Sequence, residues 1–450
     1  MKIIKSAEFD SYWKNRAVQD DEKTESLVKE IIAAVRAGGD EAVRGLASRF
    51  DKSSPAQLEV SLAEVVNAAD ELRKNNPDLY TAMELSIDHL KRFSLKQKEQ
   101  FKNFEYEMEM GLVTGQQVIP VEGAAIYVPS GRFPLFSTVL MGLIPAFCAG
   151  VEEVVLASPP QEDGLPSRNI LAAAGTVLGI CKTDLSFSHN SRLRVFAMGG
   201  AQAIAALAYG TESVPRVDFI AGPGNKYVAA AKRLLYGQVG IDFIAGPSDV
   251  LIIADGKCGV KNSAEIAAAD LIAQAEHDPD ACSRLLTPSI EFAWQLSAEI
   301  EKQLTVLPSV SPAAASLDKN GLIVVYQNKD EAVRISNSIA PEHLELQTED
   351  DEKWIPLLKN YGSLFIGPLS AEILGDYSAG INHTLPTSGS SRFTGGLSVR
   401  NFLKIATTLR CSESSGFEKT RSAAQFLAEA EELKSHAKSA ELRKTIHFKG

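Results

Sequence analysis

The sequence predicts an α/β fold with parallel sheets, with a helical segment before it and a helical tail after it. From about residue 120, short apolar runs alternate with alanine-rich helices, which is the pattern of βαβ units. The apolar runs do not alternate with polar residues, as expected for parallel strands that are covered on both faces. Residues 1 to about 110 and 417–444 instead show the spacing of amphipathic helices.

The N-terminal part is predicted to contain three helices followed by extended chain. The first helix, over 25–37, should stop at Gly38 and Gly39, and the second covers Leu62–Asn75. The third, over 78–99, follows a proline that favours a helix start. Residues 108–119 are predicted to be extended.

Two α/β series follow. The first has strands or helices at 124–128, 137–149, 153–157, 168–178, 194–197, 202–209 and 218–221. The second has them at 250–254, 263–277, 284–286, 292–304, 321–325, 329–338 and 363–367. Residues 307–318 are predicted to be a surface loop, and 375–396 a long loop of the kind that is more often functional than idle. The tail over 417–444 is predicted to be one long charged helix that packs on something else, such as a partner subunit.

Composition excludes several classes of protein. The net charge of −11 argues against a general nucleic-acid binder, and no apolar run is long enough to span a bilayer. The five cysteines are odd in number and form no CxxC pair, which disfavours disulfides and thiolate zinc sites. No signal peptide is evident. We therefore expect a cytoplasmic protein with neither nucleic-acid nor membrane partners.

The polar end of one predicted helix is a candidate metal site. The helix over 263–277 ends in polar residues before Pro279, which cannot continue it. Gln274 and His277 are three residues apart and are therefore neighbours on one helical face. An amide oxygen and an imidazole nitrogen can begin a metal site, although zinc usually takes four ligands. A helix end with ordinary polar caps is the alternative interpretation.

Glu342 and His343 are candidates for proton transfer. They follow Pro341, which favours the start of a helix or turn, so both side chains should emerge at the terminus of an element. A carboxylate beside an imidazole can move two different protons. The alternative is a capped helix start with two solvated side chains.

The long loop offers further donors. Asp376 is a hard oxygen ligand that is compatible with Gln274 and His277, and His383 could also serve. On residue pattern alone, the remaining histidines are interpreted as solvated or are given no role: His89, His189, His436 and His447.

Glycine-rich turns are candidate cofactor loops. The turn at 222–224 fails as a dinucleotide fingerprint, because Tyr227 stands where the third glycine should be and no acidic residue follows at the ribose-binding distance. The turn at 199–200 follows a strand and opens a helix, so it should present free N–H groups to an anion such as a pyrophosphate. The word FIAGP occurs at 219–223 and 243–247, and each copy predicts a strand that ends in a ligand loop. Two similar turns at the opposite edge of a sheet are the alternative.

Eight stretches of the sequence together resemble histidinol dehydrogenases. In chain order they are YVPSGRFPLFSTVLM, GGAQAIAALAYGTESVP, GPGNKYV, AGPSDVLIIAD, DLIAQAEHDPD, APEHLE, GDYSAGINHTLPT and, more weakly, AEELKSHAKSAELR. They run in the family's order from about residue 123 to 443. The resemblance implies oxidation of L-histidinol to L-histidine in two NAD-dependent steps through the aldehyde. It also implies a homodimer of incomplete Rossmann-like domains with one zinc ion per active site.

The resemblance also assigns the site residues. The implied zinc ligands are Gln274, His277, Asp376 and His436, the last from the other subunit. The same four residues, with Ser248, His343 and Glu431, are implied to line the substrate, whose imidazole and amine the metal is expected to hold. The implied NAD contacts are Tyr127, Gln202 and Asn225. His343 is expected to remove the hydroxyl proton and to assist the second oxidation, and Glu342 to activate water for hydration of the aldehyde. His383 becomes a loop residue near the site.

The expected domains follow from the same resemblance. Residues 1–25 form an N-terminal helical segment. Residues 26–119 and 247–390 form a discontinuous first α/β domain that carries the metal and proton-transfer residues. Residues 120–246 form the NAD-binding α/β domain, and 391–450 a small helical tail that reaches the partner subunit.

The sequence departs from the family pattern at several places. Ser130–Gly131 replaces the usual Gly-Gly, and Asp249 replaces the commoner Glu. Glu432 stands where a glycine is frequent, and the stretch over 392–404 differs from the usual form. These departures keep an alternative open, namely a paralogous zinc- and NAD-dependent dehydrogenase that acts on another small alcohol or a sulfonated diol. A non-catalytic metal- or nucleotide-binding protein is the third reading. Retention of the adjacent Glu342 and His343 argues against it.

Overall fold

The computed structural model describes most of the chain, namely residues 1–14, 22–130, 134–183, 191–308 and 310–445. Ser130 is described, but its neighbour Gly131 and the histidines His189 and His447 lie outside these residues. The chain forms two compact units, one of Met1–Lys96 with Val121–Phe402 and one of Gln97–Pro120 with Leu403–Gly450. Among the residues that the structure describes, no helix combines the length and the apolar character needed to cross a membrane.

The strands of the described residues are numbered in chain order. They are β1 (Lys2–Lys5), β2 (Glu59–Val60), β3 (Phe104–Glu109), β4 (Leu112–Pro120), β5 (Gly123–Tyr127), β6 (Glu153–Ser158), β7 (Arg192–Ala197), β8 (Phe219–Ala221), β9 (Gly240–Ile241), β10 (Asp249–Ala254), β11 (Cys282–Thr287), β12 (Leu322–Val325), β13 (His343–Gln347), β14 (Ser363–Ile366) and β15 (Leu403–Cys411).

The helices are numbered in the same way. They are α1 (Phe9–Lys14), α2 (Glu22–Phe50), α3 (Leu62–Asn75), α4 (Pro77–Lys98), α5 (Ser137–Ala149), α6 (Arg168–Thr183), α7 (Gly200–Tyr209), α8 (Lys226–Leu235), α9 (Ser263–Ala275), α10 (Ile290–Leu304), α11 (Ala313–Asn320), α12 (Lys329–Ile339), α13 (Glu372–Tyr377), α14 (Ser415–Ala430) and α15 (Lys434–Leu442).

The first unit contains an all-parallel six-stranded sheet, the first sheet, in the order β1-β12-β11-β10-β13-β14. Its central strand β10 is buried along its whole length. Val250 and Ile252 pack with the core beneath α9, α10 and α11, whereas Leu251 and Ile253 pack on the opposite face with α1 and α12. Helices cover both faces, which explains why the strand is apolar throughout.

The first unit also contains a second six-stranded sheet, in the order β2-β7-β6-β5-β8-β9, whose strands are parallel except for the edge strand β2. Its core joins β5, β6 and β7 to apolar side chains of α2, α7 and α8. The helix α5 is buried at every residue and ends at Gly150, whose φ of 98° is the left-handed conformation that favours glycine. These two helix-covered parallel sheets confirm the predicted fold class.

The N-terminal helices belong with the second sheet. Helices α2 and α3 pack against α7 and α6, and β2 pairs with β7. This corrects part of the predicted grouping, which joined 26–119 to 247–390. The physical reason is that the apolar face of α2 completes the core of the second sheet. The other predicted domain bounds stay predictions.

The second unit is a three-stranded antiparallel sheet, β15-β4-β3, with the helices α14 and α15. The extended chain predicted over 108–119 is confirmed as the end of β3 and most of β4, but the pairing of β4 with β15 was not predicted. The predicted single helix over 417–444 is also wrong. It breaks between α14 and α15, where Glu432 has a φ of 59° at a position often taken by glycine in the family.

Two local predictions need correction. The region over 307–318 is not all loop, because α11 begins at Ala313 and buries Ser316 and Leu317. The first FIAGP copy is the strand β8, whereas the second is not a strand. The predicted stop at Gly38 and Gly39 is confirmed, because Gly39 has a non-helical φ of 52° and the range Glu22–Phe50 of α2 joins two helices across this kink.

Candidate functional site

A cavity brings together most of the predicted site residues of the first unit. It lies where β10 and β13 begin, because Val250 is in register with His343. Its lining includes Ser248, Gln274, His277, Glu342, His343, Asp376 and His383, and also Pro223, Phe243 and Gly246 from the two FIAGP copies. In the first copy, Gly222 and Pro223 follow the carboxyl end of β8, as predicted. The second copy instead precedes the amino end of β10. The cavity therefore combines the amino edge of the first sheet with the carboxyl edge of the second.

Four donor side chains converge at the end of α9. Gln274 and His277 come from that end, and Glu372 and Asp376 lie four residues apart on α13. Single ligand atoms of His277, Glu372 and Asp376 all lie within 4.8 Å of one another. Imidazole nitrogen and carboxylate oxygen are donors that zinc and similar divalent cations accept. Sequence reasoning missed Glu372, because nothing in its local pattern sets it apart from an exposed first-turn acid.

The Gln274 side chain contacts Glu372, and the orientation of its amide decides how this contact is satisfied. Its amide oxygen faces the carboxylate of Glu372, so two acceptors meet; with the amide turned, the nitrogen instead donates to both carboxylate oxygens. Burial raises the pKa of Glu372 well above its usual range. A proton on Glu372, a turned amide or a cation would each satisfy the contact. The donor set therefore fits a divalent cation.

The ionisation of His277 and Asp376 also suits a metal. Desolvation by the surrounding protein lowers the pKa of His277, which favours the neutral imidazole that binds metals. Burial alone would raise the pKa of Asp376, but the neighbouring imidazoles, His343 first among them, outweigh it and keep this carboxylate ionised.

His343 lies among carboxylates with one ring nitrogen unused. Its Nδ1 lies 3.6 Å from Glu372 Oε1 and 3.8 Å from Glu342 Oε2. Its Nε2 is buried, lies 3.6 Å from Asp376 Oδ1 and has no hydrogen-bond partner within the described parts of the chain. Burial alone would lower the pKa of His343, but the charges of Glu372 and Glu342 outweigh it and hold the pKa well above its usual range. Burial raises the pKa of Glu342 to about 8. The two neighbours can therefore exchange protons near neutral pH.

Asp249 holds Glu342 in place. The backbone N–H of Asp249 donates to Glu342 Oε2 at 2.9 Å, and the N–H of Glu342 donates to Asp249 Oδ1 at 2.8 Å. Arg284 donates to the other carboxylate oxygen of Asp249 at 2.6 Å. The residue that departs from the family pattern thus fixes the candidate base. His343 is the first residue of the strand β13 and Glu342 directly precedes it, so the element that begins here is a strand rather than the predicted helix or turn. Both side chains are buried instead of solvated.

A second row of buried polar groups supports the cavity. Glu345 follows His343 by two residues and so points to the same face of β13. Its Oε1 accepts the backbone N–H of Glu372 at 2.9 Å, and its Oε2 accepts from Gln347 Nε2 at 2.9 Å. Gln347 also donates to Asp270 at 3.0 Å. The repeated polar residue at every second position of HLELQ is a signal that could have predicted this row.

The loop after α13 is anchored by α4. Ser86 donates to the carbonyl of Tyr377, and His89 Nδ1 lies 2.7 Å from the carbonyl oxygen of Ser378. His89 is therefore half-buried and in contact with the protein backbone, which corrects its interpretation as a solvated side chain. His383 Nδ1 lies 3.0 Å from the carbonyl oxygen of Asp376. These contacts hold the end of α13, which carries the candidate ligand Asp376, and the loop that follows it.

The three predicted cofactor residues line a neighbouring cavity of about 430 Å³. Tyr127, Gln202 and Asn225 share it with apolar walls that include Phe50 and Pro159. This volume lies within the roughly 300–1,000 Å³ of small-molecule sites, so the cavity can accept part of a nucleotide.

The glycine turn at 199–200 differs from its prediction. The N–H of Gly200 donates to the Tyr127 hydroxyl at 3.0 Å, and the N–H of Gly199 donates to Asp51. These donors are therefore not free for a pyrophosphate. The conformation of the turn is fixed instead by two side chains.

The turn at 222–224 is held by a buried ion pair. The N–H of Gly222 donates to Asp242 at 2.8 Å, and Lys232 donates to the carbonyl of Gly222 at 3.0 Å and pairs with Asp242. Gly222 has a φ of 114°, and a Cβ there would collide with the carbonyl oxygen of Tyr127. This turn carries Pro223 into the first cavity and Asn225 into the second.

Two predicted site residues lie in the second unit. Glu431 follows α14 and His436 lies on α15, and both are exposed.

The fold and the cavity define an α/β enzyme with a candidate divalent-metal centre. A family model described as histidinol dehydrogenase matches residues 14–444. A histidinol dehydrogenase of Thermus thermophilus is 42% identical over 442 residues, which cover 98% of this chain and 100% of that protein. The enzyme of the same description from Prochlorococcus marinus is 42% identical over 420 residues, 93% of this chain and 90% of the relative.

A solved structure agrees with these relatives. The crystal structure of histidinol dehydrogenase from Elizabethkingia anophelis is 35% identical, covers 96% of this chain and 95% of its own, and superposes with a TM-score of 0.85. The chain therefore belongs to the histidinol dehydrogenase family, and it is an oxidoreductase.

The buried Glu345 generates a prediction about stability and pH. Burial, with the nearby Asp270, raises the pKa of Glu345 from 4.5 to about 8. A raised pKa in the folded state means that its stabilising contribution is complete below the unfolded pKa and is lost as pH rises through about 8. The melting temperature of the wild type should thus fall from about pH 6 to about pH 9, and less steeply in Glu345→Gln.

A matched control is Glu352→Gln, which changes an exposed carboxylate of the same unit and should keep the wild-type slope. An equal slope in Glu345→Gln and the wild type would contradict the assignment of a buried neutral carboxyl at this position.

Proposed function

We propose that this chain oxidises L-histidinol to L-histidine, in histidine biosynthesis, in two successive NAD-dependent steps through the aldehyde. The chain belongs to the histidinol dehydrogenase family, and one structural observation supports the proposal. A single cavity is lined by an imidazole whose Nε2 has no hydrogen-bond partner among the described residues, by a buried carboxyl of raised pKa, and by the candidate metal donors Gln274, His277 and Asp376. Proton transfer, water activation and substrate anchoring are the three tasks that this reaction requires.

The chain's own donors suit a zinc ion, one per active site. Gln274, His277 and Asp376 would hold it, with His436 from a second copy of the chain. Zinc bound there would supply positive charge that holds the imidazole and amine of the substrate. With its amide turned, Gln274 would donate from its nitrogen to Glu372, which would leave its oxygen available to the ion.

His343 and Glu342 divide the proton work. In its neutral form, after its own proton has passed to a neighbouring carboxylate, His343 can accept the hydroxyl proton of the alcohol as the carbon loses its hydride. Its Nε2, which has no hydrogen-bond partner among the described residues, is the accepting atom. Glu342, once ionised, can take a proton from the water that adds to the aldehyde. His343, after it has released the first proton to solvent, can accept the hydroxyl proton of the hydrate. The raised pKa of Glu342 makes it a stronger base than an ordinary carboxylate.

The remaining predicted residues bind the two molecules that react. Ser248 lines the cavity and would contact the substrate, together with Glu431 from a second copy. Tyr127, Gln202 and Asn225 line the neighbouring cavity and would contact NAD. Bound NAD would supply the hydride acceptor for both oxidations.

The proposal includes a homodimer whose active sites are built from both subunits. It also includes a cytoplasmic location. His436 and Glu431 are exposed on the second unit, where a second copy could reach them. A three-ligand site leaves zinc one position short of its usual four, which a partner's imidazole would fill.

The stoichiometry of NADH tests the reaction. Because oxidation of an alcohol to an acid removes four electrons, the purified protein should form about two NADH for each L-histidinol consumed. His343→Ala should lower kcat by on the order of 10²–10⁴ while the folded protein persists. NADH formed from another small alcohol but none from L-histidinol would contradict the proposed substrate and support the paralogous dehydrogenase.

Subunit mixing tests the shared site. When His436→Ala and His343→Ala chains are co-expressed in equal amounts, about half of the dimers are mixed and each has one intact site, so about a quarter of wild-type activity should return. Activity should be measured beside each variant alone.

The control mixes two variants whose substituted residues, His343 and Asp376, both belong to the part of the site that one chain supplies. Mixing His343→Ala with Asp376→Ala leaves no intact site and should restore nothing. An absence of rescue in the first mixture as well would show that each site is built within one chain.

A further inference from the structure

The NAD-contact cavity contains an acidic side chain that the proposed reaction does not use. Asp51 follows the last residue of α2 and lines the cavity with Tyr127, Gln202 and Asn225. Its Oδ2 accepts from Gln202 Nε2 at 3.1 Å. The carboxylate is thus positioned by one of the residues expected to contact the cofactor.

Asp51 also lies against the glycine turn that follows β7. A Cβ on Gly199 would lie 2.6 Å from Asp51 Oδ1, and the N–H of Gly199 donates to this carboxylate. The neighbouring Gly200 N–H donates to Tyr127. A phosphate would therefore meet a negative charge here instead of free donors, and like charges repel strongly in a partly desolvated site.

The carboxylate retains acceptor capacity. An ionised carboxylate has about four lone-pair sites, and Gln202 and Gly199 occupy two of them. Burial raises the pKa of Asp51 to about 6, so the group is ionised at neutral pH. Lys52 is the one cationic side chain lining this cavity within the described residues, and its Nζ donates to Gln161.

In dinucleotide-binding folds an acidic residue near the glycine turn accepts the ribose hydroxyls, and an added 2′-phosphate conflicts with it. The sequence around 222–224 lacks such a residue at the expected spacing. The structure supplies a carboxylate from a different element, the end of α2, at a glycine turn that follows a parallel strand. Since hydride transfer must occur beside His343, the adenosine end of the cofactor belongs in this second cavity.

We propose that Asp51 accepts hydroxyl groups of the adenosine ribose of NAD and disfavours a 2′-phosphate, so that the protein selects NAD over NADP. This inference rests on the proposed NAD dependence.

Direct binding of NADH and NADPH, followed by nucleotide fluorescence, tests the inference without turnover. The wild type should bind NADH more tightly than NADPH. In Asp51→Asn the affinity for NADH should fall about tenfold, because a hydrogen bond to a charged acceptor is lost, while that for NADPH falls less or rises. Asparagine keeps the shape and an acceptor for Gly199. The Gln202 amide can turn so that its oxygen accepts from the new side-chain nitrogen, so the melting temperature should change little.

Asp163→Asn is the matched control, because it removes the same charge from an exposed residue that does not line the cavity. Its NADH-to-NADPH preference should equal that of the wild type. An unchanged preference in Asp51→Asn, with NADH still bound by the wild type, would overturn the role of Asp51 alone. A wild type that binds neither nucleotide would overturn the NAD dependence as well.

Discussion

The burial of several carboxylates around one point is the constraint on which the rest of the structure depends. Glu342, Asp376 and the imidazoles of His277 and His343 line one cavity. The buried Glu372 lies directly behind them, with Oε1 3.6 Å from His343 Nδ1. Like charges at this separation cannot all remain ionised in a desolvated site without compensation. Burial raises the pKa values of Glu342 and Glu372, which favours a proton on each of these carboxylates and so removes part of the negative charge. A cation bound by the neighbouring donor atoms would compensate the rest. The proposed reaction uses these same carboxylates and imidazoles to bind a cation and to transfer protons.

Such a site needs a rigid frame, and two parallel sheets provide it. Strands that are covered on both faces fix where β10 and β13 begin, and reciprocal hydrogen bonds between Asp249 and Glu342 join these beginnings. Glu345 then fixes the start of α13, which carries Glu372. Each candidate ligand is thus held by a neighbour whose own position is set by the sheet, as accurate placement of catalytic groups requires.

Much of this could be predicted from the sequence. Apolar runs and helix periodicity are local signals, so α3 and α5 were predicted with their exact bounds. The metal donors at the end of α9 and the Glu342–His343 pair stood out because they cluster polar residues at element ends. Their roles came from the family resemblance and stay predictions.

The errors share a physical cause. Glu372 enters the site only because the register of β13 places Glu345 beneath it, and no spacing along the chain encodes that contact. The pairing of β15 with β4 joins residues nearly 300 positions apart, which periodicity cannot detect. The second FIAGP copy has the residues of a strand but lacks the neighbours that would make it one, so tertiary context overrides local propensity.

The zinc content of purified variants tests the central claim most directly. In His343→Ala, which removes a proton acceptor and no ligand, about one zinc per chain should remain. In His277→Ala, which removes a ligand from the cluster, the protein should lose its zinc. Full zinc occupancy in the His277→Ala protein would contradict a metal centre at the end of α9.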